Sequence, residues 1–106
     1  MPKYLFEAKY TPEGVKGLQK AGAASRVAAV SDMCSGLGGS LDSFHFAFGG
    51  VDAYVIVDLP DDEAAAAAAF TVGASAITKV NTVKLLTVEE ADAALGRSVA
   101  YRPPGS

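Results

Sequence analysis

The sequence predicts an α+β fold with the order β-α-β-β-α-β and a short helix after it. Three observations carry this. Apolar residues alternate with period two in three stretches, helix-start signals stand before three others, and a double glycine separates two of the alternations.

The stretch KYLFEAKY (3–10) is rich in aromatic and large apolar residues and predicts the first strand. Thr11-Pro12-Glu13 predicts a helix start, with Thr11 as cap and Pro12 at the first helical position. Gly14, Gly17 and Gly22 weaken that helix by about 1 kcal/mol each. A turn or two is expected there, with a break near Gly22. A firmer helix follows from about Ala23, with Val27, Val30, Cys34 and Leu37 at helical spacing and Gly36, Gly38 and Gly39 at its end.

SLDSFHFAF (40–48) and VDAYVIVDL (51–59) read as a hairpin around Gly49-Gly50. Pro60-Asp61-Asp62-Glu63 opens the alanine-rich helix, with Asp61 as cap and Gly73 as a stop. ITKVNTVKLL (77–86) is the fourth strand, and Thr87-Val88-Glu89-Glu90 is a capping box for a helix ending near Gly96. This order is the ferredoxin-like arrangement, in which two helices cover one face of a four-stranded antiparallel sheet. Residues 1–96 are read as one domain and 97–106 as a flexible tail.

The composition narrows the function classes. The 106 residues suit one domain with a single core. A formal charge of -3 argues against nucleic acid, which needs a basic patch. Five of the nine basic residues (Lys3, Lys9, Lys16, Lys20 and Arg26) lie in the first quarter, so an anionic small ligand stays open. The one cysteine, Cys34, can form no disulfide within the chain and no zinc cluster. The longest small-apolar run, 64–77, falls short of the ~20 residues of a membrane span. A cytoplasmic protein without metal or cofactor, touching neither membrane nor nucleic acid, is the expectation.

With Gly49-Gly50 as a two-residue turn, Phe48 pairs with Val51, Phe46 with Ala53 and Phe44 with Val55. These residues, with Val57 and Leu59, form an apolar face expected under the helices. The opposite face carries Ser43, His45, Ala47, Asp52, Tyr54, Ile56 and Asp58, with His45 opposite Tyr54 and Ala47 opposite Asp52. A face that mixes aromatic, aliphatic and ionisable groups is normally covered, and a second copy packed sheet against sheet is the expected cover.

The matching pieces of a known family run through most of the chain, about residues 3 to 93. They are Tyr10-Thr11 and Gly14, Arg26, Gly38-Gly39, Phe44, Gly49, Asp52, the run Pro60-Asp61-Asp62-Glu63-Ala64-Ala65, and Leu86-Thr87-Val88-Glu89-Glu90. The chain thereby resembles the GYD family, small bacterial domains named after a Gly-Tyr-Asp signature. Val51 stands where that signature has tyrosine, and His45 where an aromatic is expected. The resemblance implies a dimeric α+β barrel, in which two ferredoxin-like sheets close together. That wider group includes cofactor-free oxygenases, isomerases and ligand-sensing modules, and the resemblance implies no single activity.

The candidate site is His45, Asp52 and Tyr54, with Arg26 as a further ligand-binding candidate. A histidine near a carboxylate and a phenol suits general acid–base chemistry near neutral pH. An interface histidine bonded to a neighbouring subunit explains the same residue. Asp61, Asp62 and Glu63 are accounted for by the helix start. Three readings follow: a homo-oligomeric barrel binding a small, partly apolar or anionic molecule between sheet and helices; a cofactor-independent isomerase or oxygenase with His45 as general base; and an assembly module without a ligand.

Overall fold

The computed structural model describes residues 1–106 as an α+β fold. The strands are β1 (Lys3–Tyr10), β2 (Ser40–Phe46), β3 (Ala53–Asp58) and β4 (Thr78–Leu85). The helices are α1 (Pro12–Ala21), α2 (Ala23–Gly36), α3 (Asp62–Ala74) and α4 (Val88–Leu95). The sheet is antiparallel in the order β2-β3-β1-β4, as the ferredoxin-like arrangement requires.

α1 is longer than its glycines led us to expect, because its start is anchored twice. Thr11 caps it, accepting from Gly14 N at 3.3 Å. The Thr11 amide and hydroxyl both donate to the Ile77 carbonyl, at 3.0 and 3.2 Å. Gly14 is needed at this joint, since a Cβ there would collide with that same carbonyl. The break falls at Gly22, whose φ of 89° and ψ of 160° suit glycine alone.

The core is built on the two inner strands. β1 contributes Tyr4, Phe6, Ala8 and Tyr10, and β3 contributes Ala53, Val55 and Val57, with Leu59 just beyond it. Val30 and Cys34 from α2 and Ala65 and Ala68 from α3 close over them. Burial pushes the Cys34 thiol pKa up.

The hairpin register holds at Phe44↔Val55, His45↔Tyr54 and Phe46↔Ala53. Two expectations about it need correction. β2 ends at Phe46 and β3 begins at Ala53, so the connection spans residues 47–52, closed by an Ala47 N to Asp52 O bond of 2.7 Å. Phe48 therefore leaves the ladder and is fully exposed, and Phe46 is 42 % exposed. Neither is packed under the helices. The reason is topological: β2 is an edge strand, and the central positions that a hairpin-centred core would give to Phe46 and Phe48 are filled from β1.

A bulge between Leu41 and Ser43 corrects the alternation at the other end of β2. Strict alternation from Phe44 would put Asp42 on the core face. The extra residue instead turns Leu41 inward, opposite Val57, and leaves the Asp42 carboxylate 3.5 Å from Lys3 Nζ.

α4 carries the capping box foreseen at Thr87 and Glu90, but none of its residues is buried. Leu86, Val88, Leu95, Val99 and Tyr101 are exposed. The radius of gyration is 16.6 Å, against about 13 Å for a compact chain of this length. No helix is long and apolar enough to cross a membrane.

Candidate ligand site

The sheet divides the candidate residues between two sides. On the open side, across from the helices, His45 and Tyr54 are register partners and both are exposed. Asp52 lies further along, and its carboxylate is engaged elsewhere. Its Oδ2 accepts from Tyr10 N at 2.9 Å, and its Oδ1 lies 3.7 Å from Lys9 Nζ. The Asp52 amide donates to Ala8 O at 2.9 Å. Asp52 thus fastens the 47–52 connection to the end of β1. His45 and Tyr54 are brought together, but no carboxylate bonds to the imidazole.

Arg26 sits on the helix side, in the second turn of α2 after the Gly22 break. Its guanidinium carbon lies 5.9 Å from the centroid of the Tyr10 ring, a cation–π arrangement. Alternation along β1 sends Tyr10 to this face, and Tyr10 is only 7 % exposed. Two polar atoms here are buried without hydrogen-bond partners, Tyr10 Oη and Arg26 Nε. Each such group costs about 1–3 kcal/mol if left unpaired.

Two spaces meet at this pair. α2 packs over β2 and α3 over β4, so the middle of the sheet is roofed by small side chains. There Ala68, Ala69 and Val72 of α3 leave an apolar hollow of about 30 Å³ above Phe6, Phe44 and Val55. Tyr10, Arg26 and Thr78 also line a cleft of about 220 Å³ between α1, α2 and the start of β4. Gly14, Gly17, Gly22 and Ser25 line it. Arg26 is the only charged residue lining either space, and it forms no ion pair.

Tyr10 is not in the candidate set of His45, Asp52, Tyr54 and Arg26, although a signal for it exists. Its alternation with Tyr4, Phe6 and Ala8 places a phenol in the core, and a buried tyrosine hydroxyl normally finds a partner. Tyr4, on the same strand face, does find one in Asp62 at 2.6 Å. The acids Asp61, Asp62 and Glu63 act as the start of α3. Asp61 accepts from Ala64 N at 2.9 Å, and Asp62 receives Tyr4 and Lys84. No group of three or more His, Cys, Asp or Glu residues is disposed to hold a metal ion.

The family model described as the GYD domain matches residues 4–95. No curated protein and no solved structure matches the chain.

Proposed function

Because the chain belongs to the GYD family, we propose that it is a homo-oligomeric α+β barrel protein that holds a small, partly apolar or anionic molecule between its sheet and its helices. The observation that carries the binding reading is the pair of unpartnered polar atoms, Tyr10 Oη and Arg26 Nε, buried at the edge of an apolar hollow. Native interiors rarely leave such groups unsatisfied, and a ligand atom there would complete both. The enzyme reading with His45 as base has less support, since the imidazole is exposed and Asp52 is bonded to Tyr10 N.

The assembly reading rests on the open face. Leu5, Ile56 and Val83 form an apolar row across β3, β1 and β4. Lys3 and Asp58 flank it on one side, and Glu7 and Tyr54 on the other. A face with an apolar middle and both signs of charge suits a second copy of itself about a two-fold axis. The exposed stripe Val88 and Leu95 on α4 adds a second apolar surface that the single chain leaves uncovered. The unpaired Cys34 fits a reducing compartment, and the reading includes a cytoplasmic location.

A diverse set of small fragments, screened by protein-observed NMR with the Tyr10 and Arg26 signals as reporters, tests the binding reading. Absence of any specific shift at these residues would leave an assembly module. Light scattering of the wild type and Ile56→Glu tests the assembly. The expected result is a dimer or a multiple of dimers that Ile56→Glu dissociates, and a monomeric wild type at micromolar concentration would overturn it.

A further inference from the structure

We propose that the molecule held between sheet and helices is a small monocarboxylic acid. Its carboxylate would lie in the glycine-walled cleft against Arg26, with its short hydrocarbon part directed into the apolar hollow that Tyr10 and Arg26 also line. This inference rests on the binding reading above and narrows it to one charge and one size.

The charge follows from the lining. Arg26 is the one charged side chain around either space and has no acidic partner. One uncompensated cation calls for one negative charge. A phosphomonoester, near two charges at neutral pH, would bring a second charge into a site without a lysine to meet it.

The donors suit a carboxylate in direction as well. The Nε–H and the adjacent Nη–H of a guanidinium form an edge that matches two carboxylate oxygens. Arg26 Nε is buried and unpaired, so that edge is free at its inner end. Tyr10 Oη, also unpaired, offers a further donor on the same wall. α2 starts at Gly22 with no side-chain cap and no acid in its first turn, whereas α1, α3 and α4 each have both. Gly22 and Ser25 line the cleft, but so do Leu18 and Ala21 at the end of α1, so opposed ends of two helix dipoles border it and Arg26 is the charge that decides.

The size follows from the two volumes. The hollow, about 30 Å³, holds one or two water-sized groups, which suits the terminal methyls of a short branched acid and excludes a long chain. The cleft, at about 220 Å³, takes the head group. A Cβ at Gly17 or Gly22 would meet nothing within 4 Å, so glycine at Gly17 leaves space that the helix itself does not require.

The test uses the full chain and two probes of nearly the same shape, isovalerate and its neutral amide, isovaleramide. Nitrogen–proton NMR reads the Arg26 Nε–H signal and the backbone signals around Gly22 as each is titrated. Isovalerate is expected to shift both and to bind about tenfold or more tighter than the amide, with that preference lost in Arg26→Met. Gly17→Leu, which fills the cleft from a position with open space, should abolish isovalerate binding while keeping the native sheet spectrum. It serves as the second variant if Arg26→Met fails to fold. Equal binding of acid and amide would overturn the carboxylate inference and leave the binding reading standing. If neither probe shifts these signals while other fragments do, the ligand class is wrong. If nothing shifts them, both readings fall together.

Discussion

Tyr4 Oη donates a 2.6 Å hydrogen bond to Asp62 Oδ1, joining the second residue of β1 to the first residue of α3. Lys84 Nζ reaches the same carboxylate oxygen at 2.9 Å from β4. One side chain therefore gathers two neighbouring strands and the helix that crosses them. The contact holds Asp62 below the usual carboxylate range, chiefly through Tyr4 and then Lys84.

The first prediction concerns alkaline stability. Burial, and then the bond to Asp62, push the Tyr4 hydroxyl from its ordinary value of 10.0 up to about 12. Between these values the folded chain keeps a proton that the unfolded chain has released. Stability is whole below about pH 10 and falls as pH rises toward 12. Denaturant titrations stepped through this window should show a steeper loss for the wild type than for Tyr4→Phe. Parallel losses would show that Tyr4 does not control the effect.

A second prediction separates the glycines. Gly17 lies inside α1 with open space around it, so Gly17→Ala should raise stability by about 1 kcal/mol. Gly22→Ala should lower it by about 1–3 kcal/mol, because φ 89° and ψ 160° strain any residue with a Cβ. Gly39→Ala should also destabilise, through collision with the Asp58 carbonyl. Chemical denaturation of the three variants gives the signs directly.

Ala76 supplies a third. It holds a φ of 63° in the link between α3 and β4, a conformation that costs an L-residue about 1–2 kcal/mol. Ala76→Gly relieves this strain and loses part of the gain to a freer unfolded chain. A net rise of about 0.5–1 kcal/mol is expected, and a fall would mean that the Ala76 methyl makes contacts worth more than the strain.

The aromatic residues give a fourth. Phe6→Ala should cost about 3–5 kcal/mol, since its ring is buried at the centre of the sheet. Phe48→Ala should change stability by no more than about 0.5 kcal/mol in the isolated chain. A large loss at Phe48 that appears only at concentrations where the chain associates would place its ring in the assembly.

These aromatics also show what the sequence made legible. Period-two alternation identified β1, β2 and β3, and the register at Phe44, His45 and Phe46 followed from the double glycine. Capping chemistry located three helix starts, at Thr11, Asp61 and Thr87. Alternation says which residues share a face, but not which strand is central. Phe46 and Phe48 were assigned to the core because their pattern is as strong as that of Tyr4 and Phe6. Only the order β2-β3-β1-β4 ranks them. Arg26 stood among the candidates, but its pairing with Tyr10 was not legible, for a related reason. Tyr10 and Arg26 belong to different elements on either side of the Gly22 break, and no local pattern links them. The pairing of His45 with Tyr54 was legible because a short hairpin makes it local.

The central place of β1 has a consequence for the order in which the chain can fold during synthesis. β1 is the first strand to leave the ribosome, yet its partners are Ala53–Asp58 on one edge and Thr78–Leu85 on the other. Until β4 emerges, one edge of β1 has unpaired backbone groups and offers them to any extended chain nearby. The sheet can close only when residues through Leu85 are outside, so the domain folds as a unit rather than strand by strand. A nascent chain arrested before residue 78 would be expected to bind chaperones or aggregate, and one arrested with β4 fully exposed would not.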